Sequence, residues 1–394
     1  ITMLDSVVFG EQTGDVSYGR YPDGTDDWRF FGLPSPAAEN TSIYEGFVAE
    51  VQFSRDGGLY NEPFSVTLAT ETEDTAIYYT LDGSEPYELG SRFRIGTIYS
   101  GPIQISRTTY LKATAIKTGW KPSDAVMQAY IFFDLSVRDF SSNLPIAVVD
   151  TMGKGINESA QTLSFASFID ATTGGRARLT DQPDFTGRAG IDIRGKSSAG
   201  FAKKQYHFET WDEYNQDKDV SILGFPAESD WILQGPYSDK SLMRNYLSYK
   251  WSNDLGRYAV RCRYIEVFLN TDGGGVSSSD YIGVYVFMEK IKRGDDRVDI
   301  AELQPSDDSE PQISGGYIVK KDKLDGGEPT FNTSRGQTLI YVEPKPEDIT
   351  EAQQNWIRNF LIQFEGALYG SNFTDPVNGY AKYIDADSFI DHHI

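Results

Sequence analysis

Between residues 46 and 135, apolar and polar positions alternate in short runs. Val48, Val51 and Phe53 form one; Phe64, Val66 and Leu68 another; Ile77–Thr80, Ile103–Ile105 and Tyr110–Ile116 follow. Glycine and proline turns separate them. Strand-period runs at this spacing predict a small β-sandwich. Upstream, Val7–Phe9 and Trp28–Phe31 read as two strands between the turn signals Tyr21-Pro-Asp-Gly24 and Leu33-Pro-Ser-Pro36. A segment of about 40 residues is too short to bury a core alone. Downstream, the apolar run Pro145–Asp150 opens a third region, in which strands and helices mix. Tyr264–Asn270 and Tyr281–Glu289 predict a hairpin across a Gly/Ser-rich turn, and Gly315–Asp322 a strand ending in charges. Met243, Leu247, Trp251 and Leu255, spaced by four, predict a helix that Gly256 ends. A second helix starts at Thr350, with Gln353 completing a capping box. Trp356, Ile357, Phe360, Leu361, Phe364 and Leu368 form its apolar face. The pattern divides the chain into 1–45, 46–135 and 136–394: β-sandwich modules followed by an α+β domain with a mostly antiparallel sheet.

The stretch most worth explaining is 191–209. Ile191 and Ile193 alternate with Asp192 and Arg194; Tyr206 and Phe208 alternate with Gln205, His207 and Glu209. This is strand, turn, strand. The turn region gathers Arg194, Lys196, Lys203 and Lys204 with Ser197, Ser198, Gly195 and Gly200. Backbone N–H groups, hydroxyls and cations on a flexible turn suit an oxyanion such as phosphate. An ordinary hairpin with solvated lysines is the alternative that the residues alone leave open.

Charge sharpens the contrast. The 394-residue chain carries 58 acidic and 36 basic residues, a net charge of −22. That argues against nucleic acid or an anionic membrane as the main partner, since both need a basic footprint. No run reaches the roughly 18 apolar residues of a membrane span. No signal peptide is visible at Ile1, and both ends read as cut from a longer chain. The single cysteine, Cys262, leaves no intramolecular disulfide and reads as a core thiol. Asp82, Ser84 and Glu85 in the turn at 80–86 supply too few oxygens for calcium. Trp120 is either a sugar-stacking ring or an edge aromatic of the sandwich. His392 and His393 are adjacent and do not share a helix face, so no metal site is expected there. His207 is expected to be structural. Four Asn-x-Ser/Thr sequons, at Asn40, Asn157, Asn332 and Asn372, carry no weight by themselves.

Three resemblances follow from motifs in order. Asp5–Gln12, Ser17–Arg20, Trp28 and Pro34–Asn40 resemble the closing strands of a lamin-tail domain, an Ig-like sandwich. Thr80–Pro86, Gly101-Pro-Ile103, Thr109–Ala115 and Gly119–Ser123 resemble the chitobiase C-terminal-type domain, an Ig-like accessory module. Arg194–Ser198, Phe201–Tyr206, Trp231–Gln234, Asp239–Asn245, Val267–Asn270, Ile282–Tyr285, Glu289 and Gly316–Lys320 closely resemble the spore-coat protein H (CotH-like) kinase family. That resemblance implies an atypical protein-kinase-like fold and ATP-dependent phosphoryl transfer with Mg²⁺ onto protein hydroxyls. It implies a secreted or surface setting, and coat or matrix proteins as partners. Phosphoryl transfer needs cations on the phosphates. Lys203 or Lys204 would meet the α/β-phosphates, assisted by Arg194, Ser197 and Ser198. Glu289 would pair with that lysine; Arg244 and Lys320 are further candidate cations.

The chain departs from the family at one point. The catalytic and metal-holding aspartates are expected beyond Ile394, so no catalytic or metal residue is assigned. Asp385, Asp387 and Asp391 are expected to start and face a helix. Two other functions stay open: a non-catalytic surface or coat assembly protein on a kinase-like scaffold, and a carbohydrate-active enzyme. The latter would need a carboxylate pair in a cleft.

Overall fold

The alternation of residues 109–116 is that of a strand at the heart of a sheet, and it pairs on both sides. The structure is a computed structural model that describes residues 6–10, 14, 16–41, 43–87, 96–171, 175–324 and 327–393. The chain forms two compact units, one of residues 1–140 with 272–280, the other of residues 141–271 with 281–394.

In the first unit, Thr109–Ile116 lies between Val126–Phe132 and Ala76–Thr80. Gly58–Tyr60 and Thr97–Ile98 complete the five-stranded sheet. Phe64–Val66 pairs with Ile103–Ile105, and Gln52–Phe53 with Leu68–Ala69. Val66, Ile105, Leu111, Ala113 and Tyr130 are the core of this β-rich module. Val126–Phe132 escaped the sequence reading because its buried end is continuously apolar rather than alternating. The two short strands at 58–60 and 97–98 carry too few residues to show a period.

The turn after Ala76–Thr80 is closed by Asp82. Its Oδ1 accepts from the Ser84 N–H and hydroxyl at 3.0 and 2.6 Å, and Gly83 takes φ +78°. The Ser84 hydrogen bonds hold the Asp82 carboxyl below the usual carboxylate range. Glu85 pairs with Lys112. These acids are therefore engaged in the turn and the sheet. Trp120 packs on the sandwich core, and a Cβ on Gly46 would come within 2.8 Å of its ring. It is an edge aromatic, not an open stacking platform. Nearer the start, Ser17–Arg20, Trp28–Phe31 and Ile43–Tyr44 form a three-stranded sheet. Val7–Phe9 is not a strand, contrary to expectation. Val8 is 96% exposed, and an apolar run that finds no pairing strand among the described residues gains nothing by extending.

The second unit is built on a closed seven-stranded barrel. Its strands are β1 (Ile146–Asp150), β2 (Thr162–Ile169), β3 (Phe185–Arg194), β4 (Gln205–Thr210), β5 (Asp230–Gln234), β6 (Cys262–Asn270) and β7 (Tyr281–Glu289), joined in the order β1-β2-β3-β4-β5-β7-β6. All neighbours are antiparallel except β1 and β6, whose parallel pairing closes the ring. Alternate residues point inward: Val149, Phe168, Ile191, Phe208, Trp231, Val267 and Phe287 fill the interior, with Ile222, Leu223 and Phe225 from the β4–β5 connection. The hairpin expected at 191–209 is β3–β4, with Ile193 opposite Tyr206 and Asp192 opposite His207. After the barrel come β8 (Ile318–Lys320), β9 (Thr330–Asn332) and β10 (Thr338–Glu343), a three-stranded sheet.

Three α-helices are described: α1 (Arg244–Asp254), α2 (Glu351–Leu368) and α3 (Ala386–His393). Thr350 caps α2 in the capping box expected from the sequence, and Trp356, Ile357, Phe360 and Leu361 pack with Phe331 and Tyr341 of the sheet. Asp385 caps α3 through the Asp387 and Ser388 N–H groups; with Asp391 it also holds Arg257, at 3.0 and 2.8 Å. The packing of α1 corrects the sequence reading. Met243, Trp251 and Leu255 are exposed. The helix instead turns its tyrosines to the barrel. Tyr246 stacks on Tyr264 at 4.6 Å, and Tyr249 packs on the outer cluster of Ile232, Val260, Val286 and Met288. Tyrosines three apart share a face as well as aliphatics do, and β6 presents a ring for them.

Phe287 is fully buried, with ring contacts to Phe168, Phe225 and Trp231 at 5.0–5.7 Å. Phe287→Ala is expected to destabilise the barrel by about 3–5 kcal/mol, read as a lower midpoint of its denaturant transition. Phe30→Ala in the first unit should leave that transition in place.

Candidate functional site

The turn between β3 and β4 is shaped by one glycine. Gly195 takes φ +93°, and a Cβ there would overlap the Ser198 hydroxyl. A side chain is excluded on both counts. Ser198–Gly200 then forms a single 3₁₀ turn. The Lys204 ammonium donates to the Ala199 carbonyl at 2.6 Å and pins this turn from within. The Ser197 hydroxyl meets the ammonium of Lys323, from the segment after β8. Arg194 closes β3 opposite Gln205, and its guanidinium contacts His207. Burial lowers the Arg194 pKa, opposed by Tyr249, Asp322 and Asp192.

Lys203 lies at the mouth of the barrel. Its ammonium donates to the Val284 carbonyl at 2.5 Å and sits 4.6 Å from the centre of the Tyr285 ring. Two glycines leave room for its stem. A Cβ on Gly235 would come 3.2 Å from Lys203 Cγ, and one on Gly283 3.4 Å from its Nζ. Burial pushes the Lys203 pKa down, with Glu266 opposing.

Arg194, Ser197, Ser198 and Lys204 thus belong to one turn, with Lys203 beside it. Lys323 joins them and was missed by the sequence reading. Its contact spans 126 residues, and no periodicity or spacing signals such a pair. Of the other candidates, Glu289 lies elsewhere, and Arg244 and Lys320 are engaged with acids of their own. Glu289 does not pair with Lys203 or Lys204. Lys203 reaches β7 at Val284, and Glu289 is five residues further along that strand, about 17 Å. There it is fully buried. It accepts from the Arg261 guanidinium at 2.6 Å and the Arg261 N–H at 2.8 Å, with Arg297 at 3.5 Å. A buried carboxylate takes the nearest cations, and this end of the barrel supplies two arginines. Arg244 opens α1 with its side chain 79% exposed, facing Asp239 at 3.8 Å. Lys320 pairs with Glu328 at 3.3 Å.

A small polar cleft of about 80 Å³ adjoins the turn. Phe201, Gln205, Gln234, Asp239 and Asn245 are among its walls. Whole-ligand pockets run to roughly 300–1,000 Å³, so this cleft is smaller than a whole-ligand site. Gln234 Oε1 is buried there without a hydrogen-bond partner among the described residues. No group of three or more His, Cys, Asp or Glu side chains placed for a metal occurs among the described residues. No described helix is long and apolar enough to cross a membrane.

Comparison with known families gives two matches. Residues 55–128 match the chitobiase/beta-hexosaminidase C-terminal domain, and residues 191–394 match the CotH kinase protein family. The second match covers more than half of the chain. The chain belongs to the CotH kinase protein family, and it carries an Ig-like accessory domain of the chitobiase C-terminal type ahead of that region. Residues 1–54 fall outside both matches, so the lamin-tail resemblance gains nothing from them. No curated protein matches the chain.

Two predictions follow from this geometry. Glu289→Gln removes the buried carboxylate that Arg261 and Arg297 share, leaving Arg297 with Glu228 alone, and is expected to cost about 3 kcal/mol of stability, measured by denaturant unfolding. An unchanged midpoint would contradict the buried pairing. Cys262 packs on the outer barrel face, where burial, and secondarily Glu289, pushes its thiol up to about 11. An unfolded thiol titrates near 8.5. The thiol's contribution to stability is therefore complete below about pH 8.5 and is lost as pH rises toward 11. Alkylation by iodoacetamide at pH 8 should be much slower in the folded than in the denatured chain.

Proposed function

We propose that this chain carries the nucleotide-facing part of an extracytoplasmic, ATP-dependent protein kinase that transfers phosphoryl groups to protein hydroxyls. In this reading the barrel and its helices are one lobe of an atypical kinase-like α+β fold. The chitobiase-type module serves as an accessory domain that places the kinase among coat or matrix proteins. The observation that carries the reading is the turn at 194–204. In a chain of net charge −22, one glycine-shaped turn carries Arg194, Lys204 and the hydroxyls of Ser197 and Ser198, Lys323 meets Ser197, and Lys203 flanks the turn.

Such a set fits a polyphosphate. Hydroxyls and backbone N–H groups bind the oxygens in fixed directions, and the cations offset the charge. Lys203 and Lys204 presently donate to carbonyl oxygens, partners that a phosphate would replace with a stronger, charged acceptor. Bound nucleotide supplies the transferable phosphoryl group. Mg²⁺ would arrive with it, held by phosphates and water plus one or two carboxylates, and no residue is assigned to it. The residues described here bind and orient.

The test is a thermal-shift titration of the whole chain with Mg²⁺-ATP. At a hundredfold excess over Kd the expected stabilisation is about 2.7 kcal/mol. Lys323→Ala and Lys203→Met, the latter keeping the packed stem, are expected to abolish most of it. Ser84→Ala in the first unit should not. Retained stabilisation in both lysine variants, or none in the parent chain, would favour a scaffold without nucleotide.

A further inference from the structure

The outer face of β3 and β4 carries a hydrogen-bonded chain of three side chains. Arg194 Nε lies 3.2 Å from His207 Nε2, and His207 Nδ1 lies 3.1 Å from Asp192 Oδ2. The strand register sets this up. His207 is directly opposite Asp192, and Arg194 is two residues along on the same face, opposite Gln205. Asp192 is largely buried at its side chain, and His207 is less than half exposed.

The donors fix the protonation of the ring. A guanidinium N–H only donates, so His207 Nε2 must be an acceptor and carry no proton. The imidazole proton then sits on Nδ1 and is donated to the Asp192 carboxylate. The chain runs in one direction: Arg194 to His207 to Asp192. A protonated ring would present an N–H to the Arg194 N–H and break it.

We infer that neutral His207 is a positioning residue for the phosphate-binding turn, holding Arg194 at the aim a nucleotide phosphate requires. The bond is made through Nε. The two terminal nitrogens, which grip paired phosphate oxygens, stay available to a ligand. Nothing in the barrel core depends on the arrangement, since all three side chains point outward. Tyr249 and Asp322 also act on Arg194, from α1 and from the segment after β8. They stabilise its charge, whereas His207 constrains its direction. A lysine at 194 has no nitrogen in the place of Nε and could not be held this way. The inference rests on the nucleotide reading for the identity of the ligand, but the tautomer can be measured without any ligand.

The experiment has two arms. The chain has three histidines, so histidine-selective ¹⁵N labelling of the whole chain gives a spectrum with three imidazoles, and His207→Gln assigns one of them. His207 is expected in the Nδ1–H form, with an unprotonated Nε2; the Nε2–H form or a charged ring at neutral pH would overturn the inference. In the second arm Mg²⁺-ATP affinity is measured by calorimetry. His207→Ala and Arg194→Ala are each expected to weaken it about tenfold, as for loss of one charge-assisted hydrogen bond. The double variant should be no weaker than either, because both changes remove one interaction. His207→Gln, whose amide both accepts and donates, should recover most of the loss. Unchanged affinity in His207→Ala alongside weakened Arg194→Ala, or fully additive losses, would overturn the inference. A parent chain that binds no Mg²⁺-ATP would overturn the nucleotide reading and the ligand role of Arg194 with it. A wrong tautomer with intact binding would overturn the positioning role alone.

Discussion

Closure of the barrel is the constraint on which the second unit depends. Six antiparallel pairings would leave β1 and β6 as open edges. Their parallel pairing, with Val148 opposite Phe268, joins them and leaves no edge in the ring. Once the ring is closed, every strand has an inside and an outside, and chemistry is sorted by parity. Ile191, Ile193, Tyr206 and Phe208 go in; Asp192, Arg194, Gln205 and His207 go out. The outward row is therefore polar by construction, and it ends at a turn whose shape only glycine at 195 allows.

The same closure separates two ends of the molecule that a linear reading had joined. One end holds the turn, Lys203 at Val284 and the hydroxyls of Ser197 and Ser198. The other holds Glu289 among Arg261 and Arg297, with Glu228, Asp230 and Lys292 close by. The first is a set of cations and hydroxyls, with Lys203 and Lys204 donating to backbone carbonyls. The second is a buried network in which opposite charges already face each other. Networks of this kind fix how segments meet, and breaking one side costs more than making the pair returns. Its work here is to hold the chain after β7 against the barrel, since Lys292 and Arg297 come from that segment.

How much of this was legible in the chain follows from the range of each interaction. The β3–β4 hairpin, the α2 capping box and most sandwich strands are set by neighbours within a few residues, and alternation or a cap residue reveals them. The face of α1 departs from the stripe of Met243, Leu247, Trp251 and Leu255 because Tyr264, on which Tyr246 stacks, lies on a strand distant in sequence. Lys323 and the pairing of Glu289 with Arg297 depend on the closed ring and on the segments that cross its ends. The Asp192–His207–Arg194 chain lies between the two cases. Its members alternate visibly along two strands, yet only the register shows that they touch. Membership of the CotH kinase protein family was readable because its motifs, each weak alone, occur in one order.

The central claim is that the turn at 194–204 and the segment bearing Lys323 together receive the phosphates of a nucleotide. Hydrogen exchange of the whole chain, followed with and without Mg²⁺-ATP, tests it most directly. The account predicts nucleotide-dependent protection concentrated in peptides covering residues 194–204 and 318–324. Protection confined to the first unit or to the Glu289 end of the barrel, or none at saturating nucleotide, would contradict it.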